Sequence, residues 1–130
     1  MCPTNYYEII VPSVKLRTAR RGRDSGGILV WCKSELAEQH RSVVKTEKYH
    51  IWLKLHNIGP TETTTYLCAA YIPPAESEYY QEDYFNNLYS DISYFQAQGK
   101  VLLCGDFNAR TGVEPDFIDP QGSAHVFGHP

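Results

Sequence analysis

The stretch Val101-Leu102-Leu103-Cys104-Gly105-Asp106-Phe107-Asn108-Ala109-Arg110-Thr111-Gly112 runs from an apolar segment into a carboxylate and, two residues later, a carboxamide. An apolar run this short reads as a strand buried on both faces, with the polar pair delivered at its C-terminal end. That edge is where α/β sheets commonly place ligands. Hydrolysis of a phosphodiester needs one group to orient and deprotonate water, and donors to stabilise charge growing on phosphate oxygens. Asp106 suits the first task and Asn108 the second, while Gly105 lets the backbone approach closely. Arg110 is a further candidate for a phosphate oxygen. Asp and Asn are also frequent in turns, so residue types alone leave a plain turn open.

A second candidate surface is basic. Residues 1–60 carry ten Lys and Arg against five Asp and Glu, whereas residues 61–130 carry two against ten, within a net charge of −3. The positive half centres on Lys15, Arg17, Arg20, Arg21 and Arg23. Arg20, Arg21 and Arg23 are the nucleic-acid-binding candidates, and a solvated basic loop is the competing reading. No window holds the roughly 18 apolar residues that cross a bilayer. Residues 1–11 lack the basic and apolar regions of a secretory signal, so an intracellular chain, nuclear or cytoplasmic, is expected. Cys2, Cys32, Cys68 and Cys104 are widely spaced, which argues against zinc and for reduced thiols.

The elements that must position these groups can be read from periodicity. Ile28 to Cys32, introduced by Gly26-Gly27, reads as a strand. Tyr49, Ile51, Leu53 and Leu55 alternate with His50, Trp52, Lys54 and His56, which predicts a strand with one apolar face. Thr65 to Ile72 is a third strand, stopped by Pro73-Pro74, and Val101 to Cys104 a fourth. Tyr80, Tyr84, Leu88, Ile92 and Phe95 fall on one stripe and predict a helix over 79–98, with Ser77 as N-cap and Gly99 as stop. Strand, proline turn, helix and buried strand in that order resemble a crossover unit of a layered α/β domain. One domain over 1–130 is expected, with 113–130 turn-rich and poorly ordered.

Gly-Asp-Phe-Asn-Ala at positions 105–109 resembles the signature of the endonuclease/exonuclease/phosphatase superfamily. Ser25-Gly26-Gly27-Ile28-Leu29-Val30 is similar to that family's Gly-Gly lead into a core strand, and Ala70-Tyr71-Ile72-Pro73-Pro74 to its Tyr-x-Pro strand end. The wording of Arg23-Asp24-Ser25-Gly26-Gly27 and of 105–112 most resembles the endonuclease domains of non-LTR (LINE-type) retrotransposons, over roughly residues 6–130. The resemblance implies a two-sheet α/β sandwich, present in part, and Mg²⁺- or Mn²⁺-dependent hydrolysis of DNA. It implies that Asp106 positions or activates water and is the one, weak and indirect, metal contact. Asn108 would hydrogen-bond the scissile phosphate, with the Tyr71 phenol beside it. Pro74 departs from the asparagine that many relatives carry there.

The family's metal-binding glutamate and early asparagine belong upstream of the Gly-Gly element, and Glu8 lacks their expected surroundings. Its closing Ser-x-x-Asp-His element belongs well downstream of Asp106, so His125 and His129 are expected to be loop histidines. The chain is therefore expected to carry part of the catalytic set, with little or no activity alone. The alternatives are a non-catalytic nucleic-acid- or protein-binding remnant using residues 15–23, and a phosphatase of the same superfamily. Small-molecule cofactors and membranes are not expected as partners, and oligomeric state stays open.

Overall fold

In a computed structural model, the described residues are 2–14, 24–36, 41–56, 63–109, 117–118 and 124–125. They form a mixed α/β protein of mostly strands. β1 (Tyr6–Val14) and β2 (Ser25–Lys33) pair antiparallel as one sheet. β3 (Arg41–Thr46), β4 (His50–Leu55), β5 (Thr65–Tyr71) and β6 (Lys100–Asp106) form a second sheet in that order. α1 (Asp83–Gln96) links β5 to β6, which run parallel as the crossover reading expects. β7 (Phe117–Ile118) and β8 (Ala124–His125) make a short separate ladder. The remainder of 113–130 lies outside the described residues, as does the order expected of it.

Two apolar clusters sit on opposite faces of the four-stranded sheet. On the helix face, Trp52, Tyr66, Cys68 and Ala70 pack with Leu88 and Phe95 of α1. On the other face, Ile51 and Leu53 pack with Val11 and Cys32 of the two-stranded sheet, and Ile9, Ile28, Val30, Leu67 and Ala69 join them. Burying one side chain of this size contributes roughly 1.5–3 kcal/mol, so each cluster is a substantial share of the fold's stability. The Trp52 and Phe95 rings lie 4.6 Å apart, fixing where α1 sits along the sheet.

β4 is not half-exposed: Ile51 and Leu53 face one layer, and His50 and Trp52, expected on its polar face, are buried against α1. β6 is not buried on both faces but is the sheet's edge among the described residues, with Leu102 and Leu103 exposed. An apolar run records what a strand can cover, not what happens to cover it. α1 begins at Asp83 rather than near 79, with Glu82 at the N-cap making no side-chain cap bond. Ser77 instead accepts the Tyr79 N–H in the turn before the helix. β1 and β3 escaped the periodicity reading. β1 contains Pro12, which weakens a strand reading and is tolerated at a sheet edge. β3 mixes polar and apolar residues and carries a bulge between Val43 and Lys45.

Candidate active site

The parallel register of β5 and β6 sets Tyr71 directly beside Asp106. Register partners on adjacent strands share a face and stand about 4.8 Å apart along the hydrogen-bonding direction, so phenol and carboxylate rise from the same edge on the same side. This pairing depends on Gly105. Its φ is +137°, and a Cβ there would lie 1.9 Å from the Ala70 carbonyl oxygen. Only glycine lets β6 come this close at the residue before Asp106.

Past the strand, Asp106 and Asn108 fold onto each other and onto β5. The Asn108 N–H donates to Asp106 Oδ1 at 2.9 Å, and the Ile72 N–H donates to the Asp106 carbonyl at 2.8 Å. Asn108 Nδ2 donates to the Ile72 carbonyl at 2.7 Å, locking the carboxamide over the end of β5. Asn108 adopts φ +45°, a left-handed conformation that asparagine tolerates better than most residues. Asp106 remains exposed. Next to Asn108 a hollow of about 420 Å³ is lined by Pro74, Ala75 and Glu76.

Tyr71 is held from behind. Its N–H donates to the Tyr49 carbonyl at 2.8 Å, and the two rings lie 6.2 Å apart. Tyr49 also meets Tyr84 of α1 edge-on at 4.8 Å. The Gly-Gly motif touches this column: a Cβ on Gly26 would stand 2.9 Å from the Tyr49 ring and 3.6 Å from the Tyr71 ring. Gly26, Tyr71 and Asp106, far apart in sequence, thus meet through one layer of aromatic packing.

A second polar centre was missed from the sequence. Asp91 of α1 is buried, and three side chains donate to it or share a proton with it. Lys45 Nζ reaches Oδ1 at 2.6 Å, and His50 Nε2 and Trp52 Nε1 reach Oδ2 at 2.9 and 3.2 Å. Burial pushes the Asp91 carboxyl up, but the hydrogen bonds from Lys45 and His50 outweigh it and hold the group below its ordinary value. The bulge in β3 puts Lys45 opposite Trp52, on the helix face. The signal for this centre was present: Asp91 sits between Leu88 and Phe95 on the apolar stripe, where an acid needs buried partners.

Of the remaining candidates one lies elsewhere, and the others fall outside the described residues. Glu8 accepts from Trp31 Nε1 at 3.1 Å on the exposed face of the two-stranded sheet. Arg20, Arg21, Arg23, Arg110 and His129 lie outside the described residues, and so does the side chain of His125. Among the described residues no three His, Cys, Asp or Glu converge on a point where a metal ion could bind. No helix among them is long and apolar enough to cross a membrane. No family model, curated protein or solved structure matches the chain.

Proposed function

We propose that this chain is part of a phosphodiester-cleaving domain of the endonuclease/exonuclease/phosphatase type, acting on DNA in the manner of a LINE-type endonuclease. The partial two-sheet sandwich belongs to the same proposal. The observation that carries it is the Tyr71–Asp106 register pair with the Asn108 amide bonded to Ile72 at 2.7 Å. Asp106 has one carboxylate oxygen engaged by the Asn108 N–H, which leaves the other to orient a water and take its proton. A carboxamide has two N–H donors. Asn108 spends one on Ile72 and turns the second toward a phosphate oxygen, beside the donor of the Tyr71 phenol.

Mg²⁺ takes about six oxygen ligands in near-octahedral geometry. The described residues do not fit that requirement, since no three potential ligands converge. Water activation is therefore assigned to Asp106 alone, and the proposed activity of this chain by itself is low. Groups that act as a unit lose far more than their share when separated.

A nicking assay on supercoiled plasmid, with and without Mg²⁺ and Mn²⁺, tests this reading. Weak cutting removed by Asp106→Ala supports it. Cutting unaffected by that substitution refutes the site, and robust metal-dependent cutting refutes the low activity. Salt-sensitive DNA binding without any cutting would favour the binding remnant instead.

A further inference from the structure

β6 ends the four-stranded sheet, with no described strand hydrogen-bonded beyond it. Lys100 N–H donates to Thr64 O at 3.1 Å and Asp106 O accepts from Ile72 N–H at 2.8 Å, so both ends of β6 turn their backbone groups inward. Backbone groups alternate sides along a strand. Leu102 and Cys104 therefore also face β5, and Val101, Leu103 and Gly105 present their N–H and C=O to the open side. The border carries no proline, and Leu102 and Leu103 are 56% and 37% exposed. Such an open border, in unbroken register with its neighbour and largely apolar between its charged ends, is a template for another strand.

We propose that β6 pairs antiparallel with β6 of a second copy of this chain, about a two-fold axis at Leu103. The strand reads Lys-Val-Leu-Leu-Cys-Gly-Asp, and in this alignment every position finds a suitable partner. Leu103 meets its own copy, and Val101 meets Gly105, bringing outward backbone groups onto outward backbone groups. Leu102 meets Cys104, and Lys100 of each copy meets Asp106 of the other. Both charged residues are exposed, and neither has an ion-pair partner among the described residues. Shifting the register by two residues, the nearest slip that keeps outward groups together, sets Leu102 against Asp106 or Lys100 against Cys104. Charge thus selects the symmetric alignment. A copy of the same strand supplies this matched pair of opposite ends from its own sequence.

The inference goes beyond the proposed hydrolysis and does not require it. It does bring the Lys100 ammonium of one copy to Asp106 of the other, so pairing and phosphodiester binding compete for one edge.

Sedimentation equilibrium over a concentration series tests the pairing with the wild type, Lys100→Asp, Asp106→Lys and the double swap. The wild type is expected to dimerise, each single reversal to weaken the dimer about tenfold, and the double swap to restore it. A monomer at all concentrations overturns the proposal and leaves the edge to a different strand. Association insensitive to the reversals, or not restored by the swap, assigns it to another surface and overturns it equally. As a second measurement, Leu102→Cys is expected to form an intermolecular disulfide with Cys104 on mild oxidation. Absence of that linkage by peptide mapping counts against the register. Circular dichroism confirms that each variant is folded, and the nicking assay reports separately on the hydrolytic reading.

Discussion

Asp91 and Asp106 carry the same side chain in opposite surroundings. Asp91 is 7% exposed and is contacted by Lys45, His50 and Trp52, which tie α1 to β3 and β4. Asp106 is exposed, and among the described residues its carboxylate accepts one hydrogen bond, from the backbone N–H of Asn108. The difference separates two uses of a carboxylate. Enclosed by donors, it fixes the packing of layers and has nothing left to offer a substrate. Left at a strand end with one oxygen engaged, it contributes little to folding and keeps its capacity for proton transfer.

The sharpest way to break this contrast is to delete each carboxylate and compare urea denaturation. Asp91→Ala strands the buried rings of His50 and Trp52 together with the half-exposed Lys45 ammonium, and is expected to cost roughly 3 kcal/mol, at the low end for a buried ion pair because Lys45 reaches solvent. Asp106→Ala is expected to stay within about 0.5 kcal/mol of wild type. Equal losses would erase the distinction.

Gly105→Ala should come next, at about 2 kcal/mol or more, because a Cβ would press on the Ala70 carbonyl in a backbone region reserved for glycine. Its specific signature is a change in the amide shifts of Tyr71 and Ile72, the residues that β6 abuts. Unchanged shifts there would argue that the close approach is dispensable.

The pH dependence sharpens the comparison further. Burial raises the Asp91 pKa, but the hydrogen bonds from Lys45 and His50 carry it below its ordinary 3.8. The unfolded state then binds its proton first, so this stabilisation is complete above about pH 4 and is lost as pH falls through the folded value. Asp91→Asn should flatten the acid limb of a stability–pH curve. At the alkaline end, burial first, then the neighbouring Tyr49, push the Tyr84 hydroxyl up to about 12 from 10.0. The unfolded chain loses that proton earlier, so stability declines between about pH 10 and 12, and Tyr84→Phe should remove this slope.

The smallest effect contrasts two cysteines 36 residues apart that report on the same two environments. Cys68 is fully buried and its thiol is pushed up to about 12, by burial above all. Cys104 is exposed on β6. Brief alkylation read by mass spectrometry should modify Cys104 and spare Cys68.

Much of this arrangement was legible in the sequence, and the exceptions have physical reasons. The strands at 28–32, 49–55, 65–72 and 101–104 and the crossover helix were readable, because apolar spacing survives wherever one layer covers another. Burial was harder to read. His50 and Trp52 look like the polar side of an alternating strand, yet their ring nitrogens meet Asp91 and make that side as buried as the other. Leu102 and Leu103 look like core residues, yet at the sheet's border they stay exposed. That Tyr71 and Asp106 end neighbouring strands was legible because proline and glycine punctuate those ends, whereas the roles given to Asp106, Asn108 and Tyr71 rest on the resemblance and belong to the proposal. Of the Asp91 centre only the acid on the apolar stripe gave a signal; its partners did not, because the four members come from three elements and share no motif.

The two borders of the four-stranded sheet are unlike. β3 is distorted by the bulge at Val44, which spoils the regular spacing another strand would need, whereas β6 keeps an unbroken register with β5 and is open among the described residues. Among the described residues a strand can therefore add to this sheet at the β6 side only, and the meeting of two such sides uses that border up. The irregularity in β3 acts as a terminator, making a closed pair rather than a fibre the natural limit of assembly.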